Sequence, residues 1–185
     1  VSNVYKLYRA TRVHPDNAID PAEQVCFYDP GLGTDVGATA LTAPVRTMQK
    51  LHASVTGRGI TQNIAECYEF LITHYEQGDR IWVIGFSRGA YTVRSLANLL
   101  MLCGIPTQTP DGPLLRYRRR IRDIADEAVT TVLEHGAGYA RDRYEAERFE
   151  MARRFRAKYG SAAPVSSDDA NAAAYFVGVF DTVAA

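Results

Sequence analysis

The stretch from Arg80 to Leu102 constrains the fold most. An apolar run, Ile81-Trp82-Val83-Ile84, meets Gly85-Phe86-Ser87-Arg88-Gly89, and then Ala90, Val93, Leu96, Ala97 and Leu100 recur at helical spacing. Strand, tight turn and helix follow in that order. A G-x-S-x-G turn in this frame is a nucleophile elbow, in which the serine sits at a strained backbone position and Gly85 and Gly89 keep side chains out of the turn. The strain lifts the Ser87 hydroxyl clear of the sheet. It also aims the Arg88 N–H, at the positive end of the following helix, at the place where an oxyanion would form. The competing reading is a Gly-rich turn in which Ser87 only caps the helix.

Upstream, Val4, Leu7 and Tyr8 line one face of a helix over Asn3 to Arg9, with Ser2 as cap. Gln24 to Tyr28 is expected as a short strand ending in the Gly-rich turn Asp29-Pro30-Gly31-Leu32-Gly33-Thr34. Ile64, Tyr68, Leu71, Ile72 and Tyr75 form the stripe of a helix over Thr61 to Tyr75, with Thr61 as cap and Gly78 as stop. Alternating strands and helices predict an α/β fold with a parallel sheet and right-handed crossovers, whose ligands bind beyond the carboxyl ends of the strands. Asp29, Gly31, Gly33 and Thr34 are then a candidate substrate loop on the same rim as Ser87. A dinucleotide reading of that loop fails on spacing, because the glycines run G-x-G-x-x-x-G and no strand-end acid follows about 20 residues on.

Residues 105–174 read as a helical insertion into a single domain spanning 1–185, with 1–104 and 175–185 as its core. Two charged amphipathic helices, Leu115 to His135 and Tyr139 to Tyr159, precede a Ser/Asp/Ala-rich loop from Gly160 to Ala174. Such an insertion is expected to lie over the strand ends as a lid. Its arginines, Arg116, Arg118, Arg119, Arg120 and Arg122, echoed by Arg153, Arg154, Arg156 and Lys158, could meet phosphate headgroups. The acids interleaved with them favour a solvated, ion-paired surface. Lys plus Arg and Asp plus Glu both number 21, so no net charge draws the whole chain to nucleic acid. Cys26, Cys67 and Cys103 lie far apart in apolar surroundings and read as buried thiols of a reducing, cytoplasmic compartment; neither disulfide nor metal site is expected. The last apolar strand, Tyr175 to Phe180, ends in Asp181. That is where a triad acid belongs, and equally where an Asp would cap a turn.

Four blocks then carry a resemblance: Phe27-Tyr28-Asp29-Pro30-Gly31-Leu32-Gly33-Thr34, Asn63-Ile64 with Tyr68 and Phe70-Leu71, Gly85 to Arg94, and Gly178-Val179-Phe180-Asp181-Thr182-Val183. Together they resemble the α/β-hydrolase family of the type VI secretion phospholipase effectors and its uncharacterised bacterial and fungal members. The resemblance implies a three-layer α/β-hydrolase-like sheet, no cofactor, and ester hydrolysis directed at phospholipid acyl chains. It makes Ser87 the nucleophile and Asp181 the triad acid, in a protein secreted as an effector and touching membranes peripherally. The family pattern also holds an upstream strand ending in an Asp-Gly-Thr-type turn and a histidine after the acid. Neither is found here, and His14, His52, His74 and His135 match no family block. The chain is therefore read as a fragment, its base outside it and its sheet completed by another polypeptide segment. Two other readings stay open: a hydrolase fold serving as an inactive binding module, and nucleotide or nucleic-acid binding.

Overall fold

The computed structural model describes residues 2–16, 18–30, 57–117 and 119–182. Helix α1, Asn3–Thr11, starts as its sequence dictates, with the Ser2 hydroxyl accepting the Tyr5 N–H at 3.2 Å. The run Gln24 to Tyr28, expected as a strand, is not one. A short apolar run becomes a strand only where a neighbouring edge pairs with it, and here its side chains find other partners. Tyr28 packs on Tyr5 and Tyr8 with ring centres 5.3 and 5.1 Å away, Phe27 stacks on Phe70 at 5.1 Å, and the Cys26 thiol donates to the Thr11 carbonyl. Helix α2, Gly57–His74, begins ahead of Thr61, whose hydroxyl lies inside the helix and binds Glu134 instead of capping. Beyond its end, Gly78 at φ +105° completes a turn in which the Asp79 carboxylate accepts the Glu76 N–H at 2.8 Å.

Strand β1, Ile81–Phe86, leads through Ser87 into helix α3, Arg88–Cys103. Ile81, Val83 and Gly85 are buried beneath α3, while Trp82 and Phe86 point the other way. The strand at the far end of the chain, Ala174–Phe180, pairs with β1 in parallel, matching Trp82 to Phe176, Ile84 to Gly178 and Phe86 to Phe180. The open face of this pair therefore carries Trp82, Phe86, Phe176 and Phe180, which are 44–57% exposed. A parallel ladder backed by a helix is the expected α/β arrangement, and among the described residues that ladder has two strands.

The insertion departs from expectation in placement and in detail. After a minimal hairpin, β2 Gln108–Thr109 with β3 Gly112–Pro113, helix α4 runs from Arg119 to Glu127 and continues as a π-helical stretch over Ala128–Leu133. There the Glu134 N–H reaches back five residues to the Val129 carbonyl at 3.0 Å. Val129-Thr130-Thr131-Val132 is a run of β-branched residues, the type that loses rotamer freedom in a tighter α-helix. A 3₁₀ turn, Arg141–Tyr144, opens helix α5, Glu145–Tyr159, which ends at left-handed Gly160. The expected loop from Gly160 to Ala174 is instead an antiparallel hairpin, β4 Ala162–Ala163 with β5 Ser166–Ala170, followed by β6, the Ala174–Phe180 strand.

These helices do not lie over the strand ends. Ile121, Ile124, Val129, Val132, Ala152 and Phe155 are buried in one core with Ile64 and Tyr68 of α2 and Leu96, Leu99 and Leu100 of α3. Their apolar stripes are wide enough to serve as a packing layer, and α2 and α3 offer the matching faces. Most of their cations are ion-paired: Arg122 with Glu66, Glu69 and Asp126, Arg153 and Arg154 with Glu150, and Lys158 with Glu127. Arg156 differs, being 3% exposed and donating to main-chain carbonyls at Leu102, Ser167 and Asp168. It joins the negative end of α3 to the hairpin that feeds β6.

Candidate active site

Ser87 has φ +55° and ψ −120°, a region that residues with side chains rarely occupy, and its hydroxyl makes no capping hydrogen bond to α3. The Gly85 position explains how so tight a turn forms. A Cβ there would lie 2.1 Å from the Gly89 carbonyl oxygen, so the strand and the first helical turn can close only around a glycine. Gly89 itself has open space where a Cβ would stand, so sterics demand glycine at Gly85 alone. Arg88 is the first residue of α3, at the positive end of that helix.

The backbone N–H of Ser87 donates to the Phe180 carbonyl at 2.9 Å. Asp181 follows Phe180 directly, as Ser87 follows Phe86, and Phe86 and Phe180 are register partners. Adjacent strands lie about 4.8 Å apart, so the serine and the exposed aspartate leave the sheet side by side. Asp181, like Ser87, has positive φ, +50°, and among the other described non-glycine residues only Tyr117 does. Sequence pattern placed Asp181 at a strand end. Its positive φ and the hydrogen bond from the Ser87 N–H to the preceding Phe180 carbonyl carry no signal in the pattern.

Asp29 is half-buried close to Cys67, and together with Glu66 it adds to the burial that pushes the Cys67 thiol up to about 12. Cys103 is raised further, chiefly by burial, so neither thiol is a thiolate near neutrality. Gly31, Gly33, Thr34 and His52 lie outside the described residues. His14 pairs with Asp16 at 3.0 Å, His74 bonds the Phe70 carbonyl and stacks on the Phe70 ring, and His135 meets Glu147 at 2.8 Å. The structure brings Ser87, Arg88 and Asp181 together and leaves those three histidines elsewhere. Among the described residues no three His, Cys, Asp or Glu side chains gather as a metal site would need, and no helix is long and apolar enough to cross a membrane.

A parallel strand pair that delivers a serine and an aspartate, both with positive φ, to one rim, backed by a helix, is an α/β arrangement. The chain belongs to the family described as the type VI secretion system phospholipase effector Tle1-like catalytic domain, whose family model matches residues 1–185. It is also 35% identical over 109 residues to the "Uncharacterized protein YEL023C" of Saccharomyces cerevisiae, a match covering 56% of this chain. The match covers 15% of that relative's own length. No solved structure matches.

Proposed function

We propose that Ser87 is the nucleophile of a serine ester hydrolase that removes acyl chains from phospholipids. The observation that carries this reading is the Ser87 turn, left-handed, uncapped and tied through its N–H to the carbonyl just before Asp181. The Ser87 oxygen attacks the ester carbonyl while a histidine takes its proton, and the Arg88 N–H holds the resulting oxyanion. Collapse of the tetrahedral adduct expels the lysolipid alcohol, which receives that proton, and water then releases the acyl group from Ser87 by the same steps. Asp181 orients the histidine. His14, His74 and His135 are engaged elsewhere and His52 matches no block of the family pattern, so the base is assigned to a histidine outside this chain, in an intact protein exported as an effector and touching the bilayer only peripherally. Asp29, Gly31, Gly33 and Thr34 are proposed as a loop along the substrate.

The test is labelling of the full-length protein with a fluorophosphonate probe, followed by peptide mapping. A base-activated hydroxyl beside an oxyanion hole reacts where an ordinary serine does not. Modification at Ser87 that vanishes in Ser87→Ala is expected, together with loss of ester turnover by roughly 10⁴-fold or more. An unlabelled Ser87 in the full-length protein would leave the binding-module reading in its place.

A further inference from the structure

The arginine-rich start of the insertion is not used by the site above, and its surroundings give it a role. Arg116 donates to the Tyr75 carbonyl at 2.9 Å and pairs with Glu76 at 3.3 Å. Both partners belong to the turn that leads into β1, so this segment sits at the amino-terminal end of the strand. Ser87 lies at the other end, roughly 20 Å away along six extended residues. Leu115 and Tyr117 stand out from the segment, 60% and 77% exposed. Tyr117 holds φ +63°, a conformation an aromatic residue rarely adopts, and its ring meets that of His74 edge to face with centres 6.0 Å apart. His74 stacks on Phe70 and Phe70 on Phe27, itself 46% exposed, so an aromatic ledge continues behind Tyr117.

We propose that Leu115, Arg116, Tyr117, Arg119 and Arg120 form a docking surface for an anionic lipid bilayer, distinct from the Ser87 rim. An aliphatic and an aromatic side chain presented to solvent among arginines is the combination that enters the headgroup boundary while its cations meet lipid phosphates. Arg119 is exposed, and Arg120 pairs with Asp111 at 2.7 Å. The Arg116–Glu76 and Arg120–Asp111 pairs join side chains that are 45–74% exposed. Pairs of that kind contribute little and exchange readily for a phosphate oxygen, which a guanidinium binds in bidentate fashion. Single-stranded nucleic acid would use Tyr117 and the arginines but would leave Leu115 without a partner. The choice of a lipid surface rests on the phospholipid reading. This surface and the Ser87 rim lie at opposite ends of β1, so docking here is a different contact from the one that delivers an ester to Ser87, and recruitment and turnover are separate events.

The experiment uses the full-length protein carrying Ser87→Ala, so that vesicles stay intact. Its co-sedimentation is measured with phosphatidylcholine vesicles containing phosphatidylglycerol and with pure phosphatidylcholine vesicles, across a salt series. Binding to the anionic vesicles that weakens with salt is expected. It should fall about tenfold in Leu115→Ala/Tyr117→Ala and about tenfold in Arg119→Ala/Arg120→Ala, with the paired Lys substitutions retaining most of it. Unchanged thermal unfolding shows that the variants fold. Equal binding to both vesicle types, or full binding by the two Ala variants, overturns the proposal, as does binding of single-stranded DNA in place of vesicles. Fluorophosphonate labelling of the docking variants in the Ser87 background remains at the wild-type level if the surfaces are separate. Failure of docking is thereby told apart from failure of the hydrolase reading.

Discussion

At the scale of single residues, the turn at Ser87 separates two glycines that look alike in the motif. Gly85→Ala would drive a methyl group to within 2.1 Å of a backbone oxygen, so the turn must open, at a cost of about 3 kcal/mol and with loss of Ser87 labelling. Gly89→Ala meets nothing within 4 Å and gains helix propensity. It should leave stability unchanged or raise it by up to about 1 kcal/mol. Urea unfolding of the two variants checks the contrast, and equal losses would mean the turn closes by some other contact. The strand, turn and helix around Ser87 were legible because three local signals agree there: a β-rich run, glycines at fixed offsets and a helical stripe. Gln24 to Tyr28 carried only the first of these. Its fate was decided by rings on α1 and α2, and spacing along the chain says nothing about such contacts.

Among the elements, α3 is fixed at both ends, by the Ser87 turn and by Arg156. Among the described residues the buried Arg156 guanidinium has carbonyl partners and no carboxylate, so it is stabilised by the carbonyls it satisfies. Arg156→Met keeps the apolar stem but leaves the Leu102, Ser167 and Asp168 carbonyls short of a donor. It should cost about 3 kcal/mol, read as a lower denaturation midpoint with an unchanged slope. A loss below roughly 0.5 kcal/mol would show that water takes over those carbonyls. The sequence marked this arginine as one more cation on a charged helix, since nothing in a helical pattern tells a buried cation from a solvated one. The β5 strand escaped for a related reason, as Ser166-Ser167-Asp168-Asp169 has the composition of a loop and is held extended by its hairpin partner and by Arg156. The helices α1, α2 and α3 were legible because their apolar stripes are the faces they bury. The insertion's helices were legible as helices but not in position, because an amphipathic stripe records that a face is buried and not against what.

For the molecule as a whole, the open side of the β1–β6 pair decides behaviour in solution. Four aromatic rings about half exposed on one face of the strand pair favour association. The isolated 185-residue chain should sediment as dimers or larger species, and Trp82→Thr/Phe176→Thr should shift it toward monomer with its helical content intact. A wild-type chain that is monomeric at tens of micromolar would show that the surface is covered. The hydrogen bond from Ser87 to Phe180 also has a consequence in time. Contacts between α2, α3 and the insertion can form while the chain is still being made, but β6 is synthesised after all of them, and its pairing with β1 closes a loop that spans the whole insertion. The serine turn therefore waits, without its neighbouring aspartate, until α2, α3, the insertion and β6 have all been made. A chain released before β6 carries the Ser87 turn without the strand that sets Asp181 beside it.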